Sequence, residues 1–395
     1  MRVPLLPVMI LLAVGLLVDW YLNRRMAREG VSRMWRKIHQ VVAAVASAAL
    51  LIVAVAPKKA ADDESLALLM WTLFAYMSLY LPKCLAAVIM LVQQGIGFIT
   101  HRKLKGMGIA AAVVAVSVFI LMWWGALINR FSIDVKEVEV DIPGLPASFD
   151  GYRIAQISDI HTGTYGNDTT FLKRVVDCVN GLNPDIIMFT GDIVNRHSTE
   201  LEPFVNTLGQ LKAKDGVLSV MGNHDYGDYY VWPSPEARLQ DIENLQNMQA
   251  RMGWRMLNNE HMILRGNPGD SLVVIGVENI GDHPFPVYGS LSKAYPEISD
   301  KSVKVLMSHN PRHWVDSIAG REDVNVALTL AGHTHAMQIE LFGLSPAVYR
   351  YKTWGGLYPD SLGRKLYVNI GMGEVGIPAR IGATPEITLI TLRSK

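Results

Sequence analysis

The chain has 395 residues, half of them hydrophobic, with 37 Lys and Arg against 36 Asp and Glu and a formal net charge of +1. That length exceeds one small domain, and so balanced a charge provides no global basic field for nucleic acid. After residue 130 no stripe of Lys and Arg with interleaved aromatics occurs, so nucleic acid is not an expected partner, and Cys84 and Cys178 read as structural thiols that say nothing of redox compartment.

The hydrophobic excess lies almost wholly before residue 130. Four apolar stretches cover 4–22, 38–56, 66–92 and 107–128. Each is near or above the ~20 residues that cross a hydrocarbon core. The first has no small-x-small cleavage site and runs into Asp19, Trp20 and Tyr21, as a helix meeting an interface does, so it reads as a span and not as a signal peptide. Four in succession also argue against the buried bundle of a soluble protein. Basic residues orient them. Arg24, Arg25, Arg28, Arg33, Arg36 and Lys37 follow the first stretch, and Arg102, Lys103 and Lys105 follow the third, nine on one side. Arg2, Lys58, Lys59 and Arg130 make four on the other, where Asp62, Asp63 and Glu64 also lie. The positive-inside rule puts the nine in the cytoplasm and residue 130 outside. The expectation is a multi-pass protein of the inner or plasma membrane, with an extracytoplasmic (periplasmic) domain after four spans. Pro82 is expected to bend the third helix. Lys83 is expected to snorkel to the nearby interface, with a lipid-phosphate contact as the sharper alternative. Trp123 and Trp124 are expected to anchor the fourth helix at the interface.

A second region, 131–395, succeeds the membrane region 1–130, and its periodicity is different. Residues 133–140 alternate like a half-buried strand. Short apolar runs at 153–158, 186–190, 217–221, 272–277, 303–307 and 326–330 read as strands, with helical patterns at 168–182, 200–212 and 235–252. Strands alternating with helices predict an α/β architecture with much parallel pairing. The tail, with strand-like 366–369 and 386–392 and no helix between, predicts a mixed or second sheet.

The strands end alike. Asp159 and His161 follow the run at 153–158, and Gly191, Asp192 and Asn195 follow that at 186–190. Gly222, Asn223, His224 and Asp225 follow the third, Ser308, His309 and Asn310 the fifth, and Gly332, His333 and His335 the sixth. In a largely parallel sheet these ends converge on one edge. The pairs Asp159/His161 and His333/His335 are two residues apart, so in extended chain they point the same way. Asp, Asn and His without Cys suit divalent Mn, Fe, Zn or Mg. Each element alone has a structural explanation; the joint pattern is specific.

These motifs, Asp-x-His, Gly-Asp, Gly-Asn-His-Asp, a lone His and Gly-His-x-His over 159–335, resemble those of the calcineurin-like metallophosphoesterases. The tail, Leu366 to Gly373, Pro378-Ala379-Arg380 and Pro385-Glu386-Ile387, is similar to a membrane-associated bacterial branch. The resemblance covers 135–395 and leaves the four spans outside. It implies a four-layer α/β/β/α sandwich with two divalent metal ions at the sheet edge. Asp159, His161 and His335 would hold the first metal, Asn223, His309 and His333 the second, and Asp192 would bridge them. His224 would face the phosphate as general acid or as a transition-state stabiliser, and Asp225 would orient it through the far ring nitrogen. Arg380 and Asn195 are assigned to the substrate phosphate. The physics agrees: two cations ~3.5–4 Å apart need a shared carboxylate, and together they turn a bridging water into a hydroxide nucleophile.

The chain departs from the branch at Ala336-Met337, where Gly-Gly is usual, and over 278–283. Tyr226, Tyr229, Tyr230 and Trp232, with Tyr349, Tyr351, Trp354 and Tyr358, form either loop packing or an aromatic rim. His197, His261, His283 and His313 are expected not to be ligands. The expected protein is a membrane-anchored metallophosphoesterase acting on a phosphorylated lipid or lipid-linked substrate. The alternatives are a cytoplasmic-facing pyrophosphatase of the UDP-diacylglucosamine type and a non-enzymatic metal-binding scaffold or sensor.

Overall fold

The structure is a computed structural model that describes residues 5–56, 62–101, 106–296 and 301–395. It divides into two compact units, Met1–Ile128 with Gly376–Ala379, and Asn129–Val375 with Arg380–Lys395.

The first unit holds four helices, α1 (Leu5–Arg28), α2 (Arg33–Val55), α3 (Asp63–Thr100) and α4 (Met107–Leu127). All four are long and apolar enough to cross a membrane. Asp62 caps α3 by accepting from the Ser65 amide at 2.7 Å, which satisfies one of the orphan donors at the helix start. Arg24, Arg25 and Arg28 lie on the last turns of α1, and Arg33, Arg36 and Lys37 on the first turns of α2. Of the other residues in the charge comparison, Arg2, Lys58, Lys59, Arg102, Lys103 and Lys105 fall outside the described residues. Lys83 corrects an expectation. Its Nζ is turned to a protein partner, 2.8 Å from Asp19 Oδ1, and Tyr80 donates to Asp19 Oδ2 at 2.5 Å. An ionised group among apolar helices finds a protein partner because lipid supplies none. Trp123 likewise packs inward, stacking on Trp71 at 6.4 Å and meeting Phe74 edge-on at 5.3 Å.

The second unit is built on two six-stranded sheets. The first has β1 (Asp134–Ile142), β2 (Arg153–Ile157), β3 (Ile186–Phe189), β4 (Val217–Ser219), β5 (Trp254–Met256) and β12 (Glu386–Ser394), ordered β1-β12-β2-β3-β4-β5. The second has β6 (Glu260–Arg265), β7 (Ser271–Gly276), β8 (Val303–Met307), β9 (Leu328–Ala331), β10 (Gly356–Pro359) and β11 (Lys365–Val368), ordered β10-β11-β9-β8-β7-β6. Strands β2 to β5 run parallel, as do β7, β8, β9 and β11.

Strand alternation builds the layers. Ile186 and Met188 face inward against Leu272, Val274, Val305 and Leu330 of the other sheet. Ile187 and Phe189 face outward and are covered by Leu172, Val175 and Val176 of α5 (Thr170–Gly181), Leu208 of α6 (Val205–Leu208), and Leu245 and Met248 of α7 (Pro235–Arg251). On the far side, Val273, Ile275 and Leu306 meet Ala294 of α8 (Leu291–Ala294) and Trp314 of α9 (Arg312–Ser317). The result is the four-layer α/β/β/α sandwich, each fully buried aliphatic contributing about 1.5–3 kcal/mol. The helix expected at 200–212 is instead a 3₁₀ stretch, Ser198–Phe204, followed by α6, because Pro203 cannot donate within a regular turn. Strands β5, β6 and β10 were not expected. They are sheet-edge strands with mixed burial, so they carry little periodic signal. The carboxyl ends of β2, β3, β4, β8 and β9 meet at one edge, and the polar clusters stand there.

Candidate active site

Two groups of potential metal ligands assemble at that edge. One is Asp159, His161 and His335; the other is Asp192, His309 and His333; within each group the ligand atoms lie within 4.8 Å of one another. Asn223 joins the second, its Oδ1 3.2 Å from His309 Nε2. One atom, Asp192 Oδ2, stands 3.0 Å from His309 Nε2 and 3.7 Å from His161 Nε2, between the groups, where a shared carboxylate belongs.

Backbone strain delivers these side chains. Asp159, His161, Asp192, His333 and His335 take φ of +52°, +50°, +59°, +74° and +50°. Non-glycine residues seldom adopt such angles, and their clustering marks a functional site. Two glycines make room. A Cβ on Gly222 would strike the Asp192 carboxylate, and one on Gly332 would strike Ser158 and Asp159.

The outer hydrogen bonds fix the rings. His161 Nδ1 is 3.1 Å from Val194 O, and His309 Nδ1 is 2.8 Å from Thr190 O. A carbonyl only accepts, so each Nδ1 carries a proton and each Nε2 is turned into the site. There His161 Nε2 lies 3.1 Å from His335 Nε2, and His309 Nε2 lies 3.2 Å from His333 Nδ1. Ring nitrogens that close either share a hydrogen-bonding proton or hold a cation between them. Burial, aided by neighbouring His224 and His335, pushes His161 well below its usual pKa, so its ring is neutral and able to ligate a metal cation. Burial also works against the charged forms of Asp159 and Asp192, but the surrounding histidines prevail and lower both carboxyls. The donor set is carboxylate oxygen and imidazole nitrogen, the chemistry that divalent cations take.

His224 stands apart from both groups. Its amide donates to Asp192 Oδ1 at 2.8 Å, and its ring Nδ1 lies 2.7 Å from Asn195 O, leaving Nε2 for another partner. Burial lowers its pKa, with Asp192 opposing. Asn223, His224 and His333 are half-buried, whereas Asp159, His161, Asp192, Asp225 and His309 are sealed from solvent, so a ligand enters past the first three.

Three expected roles change. Asp225 does not orient the His224 ring. Its carboxylate accepts from the amides of Asp192, Ile193, Val194 and Gly222, at 2.8 to 3.3 Å, and so fastens the turn after β3 to the turn after β4. Arg380 does not reach a substrate phosphate. It is fully buried and donates to the carbonyls of Ile370, Gly373 and Ala383, with Nη2 also 3.2 Å from His335 Nδ1. Asn195 acts through its carbonyl on His224, while its amide nitrogen points toward Thr164 Oγ1 and Glu374 O at 3.4 Å. Of the aromatics, Tyr226 is buried and stacks on Tyr288 at 3.7 Å, which is loop packing. Tyr229 instead stacks on His224 at 4.3 Å and accepts from Asn223 Nδ2 at 3.0 Å, and the Tyr351 hydroxyl lies 2.9 Å from His333 Nε2. The carbonyls of Thr190, Val194 and Asn195 could not have been read from residue type. Met337 is 45% exposed.

Comparison with known proteins points the same way. The calcineurin-like phosphoesterase family model matches residues 152–337. A Danio rerio protein described as a transmembrane protein with metallophosphoesterase domain is 32% identical over 266 residues, covering 66% of this chain and 57% of that protein, so the chain spans little more than half of that relative. The uncharacterized metallophosphoesterase YkuE of Bacillus subtilis is 29% identical over 297 residues, covering 74% of this chain and 96% of that one. A solved phosphopantetheinyl hydrolase of Mycobacterium tuberculosis aligns with TM-score 0.33 and 14% identity over 59% of this chain and 92% of that one, a likeness too slight to bear on fold or activity. Residues 152–337 thus form a calcineurin-like metallophosphoesterase domain, preceded in this chain by four helices long and apolar enough to cross a membrane.

Proposed function

We propose that the protein is a membrane-anchored phosphohydrolase that cleaves a phosphate ester or pyrophosphate on a lipid or lipid-linked substrate, with its domain on the outer face of the membrane. The observation that carries the hydrolase reading is the convergence of imidazole nitrogens from His161, His335, His309 and His333 on either side of Asp192 Oδ2. Two divalent cations held there would supply Lewis acidity and charge neutralisation at a phosphoryl group. The chain's own residues supply the rest. Asp159, His161 and His335 form one binding set, and Asn223, His309 and His333 the other, with Asp192 shared. Asn195 O accepts the His224 Nδ1 proton and so turns Nε2 toward the site, where a ring that has taken up a second proton at Nε2 can pass it to the departing oxygen. Asp225 keeps the two turns in register.

The lipid assignment is supported by the four apolar helices, more than a tether requires, and the outer placement by the nine-to-four distribution of basic residues. The test is hydrolysis by purified, metal-loaded full chain across phosphomonoesters, phosphodiesters and lipid pyrophosphates. Wild type should turn over at least one class, most readily a lipid-borne one. His224→Ala should lower that rate by about 10²–10⁴ while keeping its metal. No hydrolysis by wild type anywhere on the panel would leave a scaffold, not an enzyme.

A further inference from the structure

The chain leaves the site at Gln338 and returns at Tyr351, whose hydroxyl touches His333. Between them Leu341 and Leu344 bond backbone to backbone across a tight turn, at 2.9 and 3.0 Å. The two central residues, Phe342 and Gly343, take φ of +55° and +75°. That mirror-image turn normally uses Asn-Gly or Gly-Gly, because a bulky side chain at positive φ is strained. Phe342 accepts the strain and gains no packing for it: its exposure is 102%, with Leu344 at 75% and Tyr349 at 93%. Local rules broken without a compensating contact mark functional positions.

The patch extends beyond one turn. Arg350 pairs with Asp282 at 2.7 Å, which ties this loop to the neighbouring turn carrying exposed Phe285 and Val287, and Lys352 is exposed beside it. The chain also names the occupant. Asn129, where the domain begins, follows the end of α4 by two residues, so a bilayer surface is always within reach. Apolar tips flanked by tyrosine and basic side chains suit that boundary: Phe and Leu enter the acyl edge, Tyr lies at headgroup level and Lys faces phosphate.

We propose that the turn at Leu341–Leu344, with Tyr349 beside it, dips into the phospholipid bilayer interface and holds the metal site against the headgroup layer. The proposal rests on the membrane-phosphohydrolase reading above, and its test separates the two. The full chain, with Cys84→Ser and Cys178→Ser, carries Phe342→Cys labelled with an environment-sensitive fluorophore. It is reconstituted in vesicles of phosphatidylcholine and phosphatidylglycerol containing spin-labelled lipid. The label should emit as in an apolar medium and be quenched by the spin-labelled lipid, whereas a label at exposed Glu322→Cys should do neither. Phe342→Asp with Leu344→Asp should keep the wild-type rate on a soluble phosphodiester and lose about tenfold or more on a lipid-borne phosphate. A water-like emission at 342 overturns the proposal. So does an apolar emission untouched by spin-labelled lipid, the result if a second copy or the chain's own helices cover the turn. Quenching at 342 with no hydrolysis of any substrate sustains the docking and sinks the phosphohydrolase reading.

Discussion

His309 shows how a single residue's surroundings decide its chemistry. Burial alone would discharge it, but Asp192 and Asp159 overcome burial and hold its pKa up at about 9, while burial sends His333 down to about 3. Without metal, His309 is therefore charged at neutral pH and must release a proton to take a cation, whereas His333 is already neutral. Affinity for a divalent ion at the second group should rise roughly tenfold per pH unit up to about 9 and level off above it. Titration of the metal-free chain at a series of pH values checks this, and an affinity flat across that range would remove the coupling. Arg380 shows the converse. Its residue type pointed to a phosphate, but its surroundings make it a buried brace between the backbone carbonyls of Ile370, Gly373 and Ala383 and the ring of His335. Residue identity was a good guide to ligands and a poor one to the groups behind them, because backbone carbonyls leave no mark on sequence.

At the scale of elements, the strand ends were legible because each joins an apolar run to glycine and polar residues, two signals that seldom coincide by chance. Strands β2, β3, β8 and β12 follow from periodicity alone. Strands β5, β6 and β10 do not, since an edge strand needs only one buried face and can be very short. The turn after β9 is where local rules fail most plainly. His335, Ala336, Met337 and Gln338 all take positive φ, between +47° and +59°. Ala336 is fully buried, but Met337 is 45% exposed, so packing repays only part of its strain. Met337→Gly should stabilise the domain by about 1 kcal/mol. Thermal unfolding measures the effect; a lower midpoint would mean that the side chain contributes contacts that outweigh its backbone strain.

For the whole molecule, the division into a helical unit and an α/β unit was legible from hydropathy and periodicity, and the Asp19–Lys83 pair was not, because partners 64 residues apart cannot be matched by pattern. The pair locks α1 to α3, and such intramembrane ions are seldom left without a partner. The orientation inferred from basic residues has its own test: a reporter fused after Lys395 should be active when it requires the outside of the cell, and activity from a cytoplasm-dependent reporter would reverse the topology. The central claim concerns the metal centre and is most directly tested by counting. Elemental analysis of purified, metal-saturated full chain should find about two divalent ions per molecule, and Asp192→Ala should retain one or none, since the shared carboxylate serves both groups. A wild-type chain that binds no metal, or an Asp192→Ala chain that keeps both ions, would contradict the account.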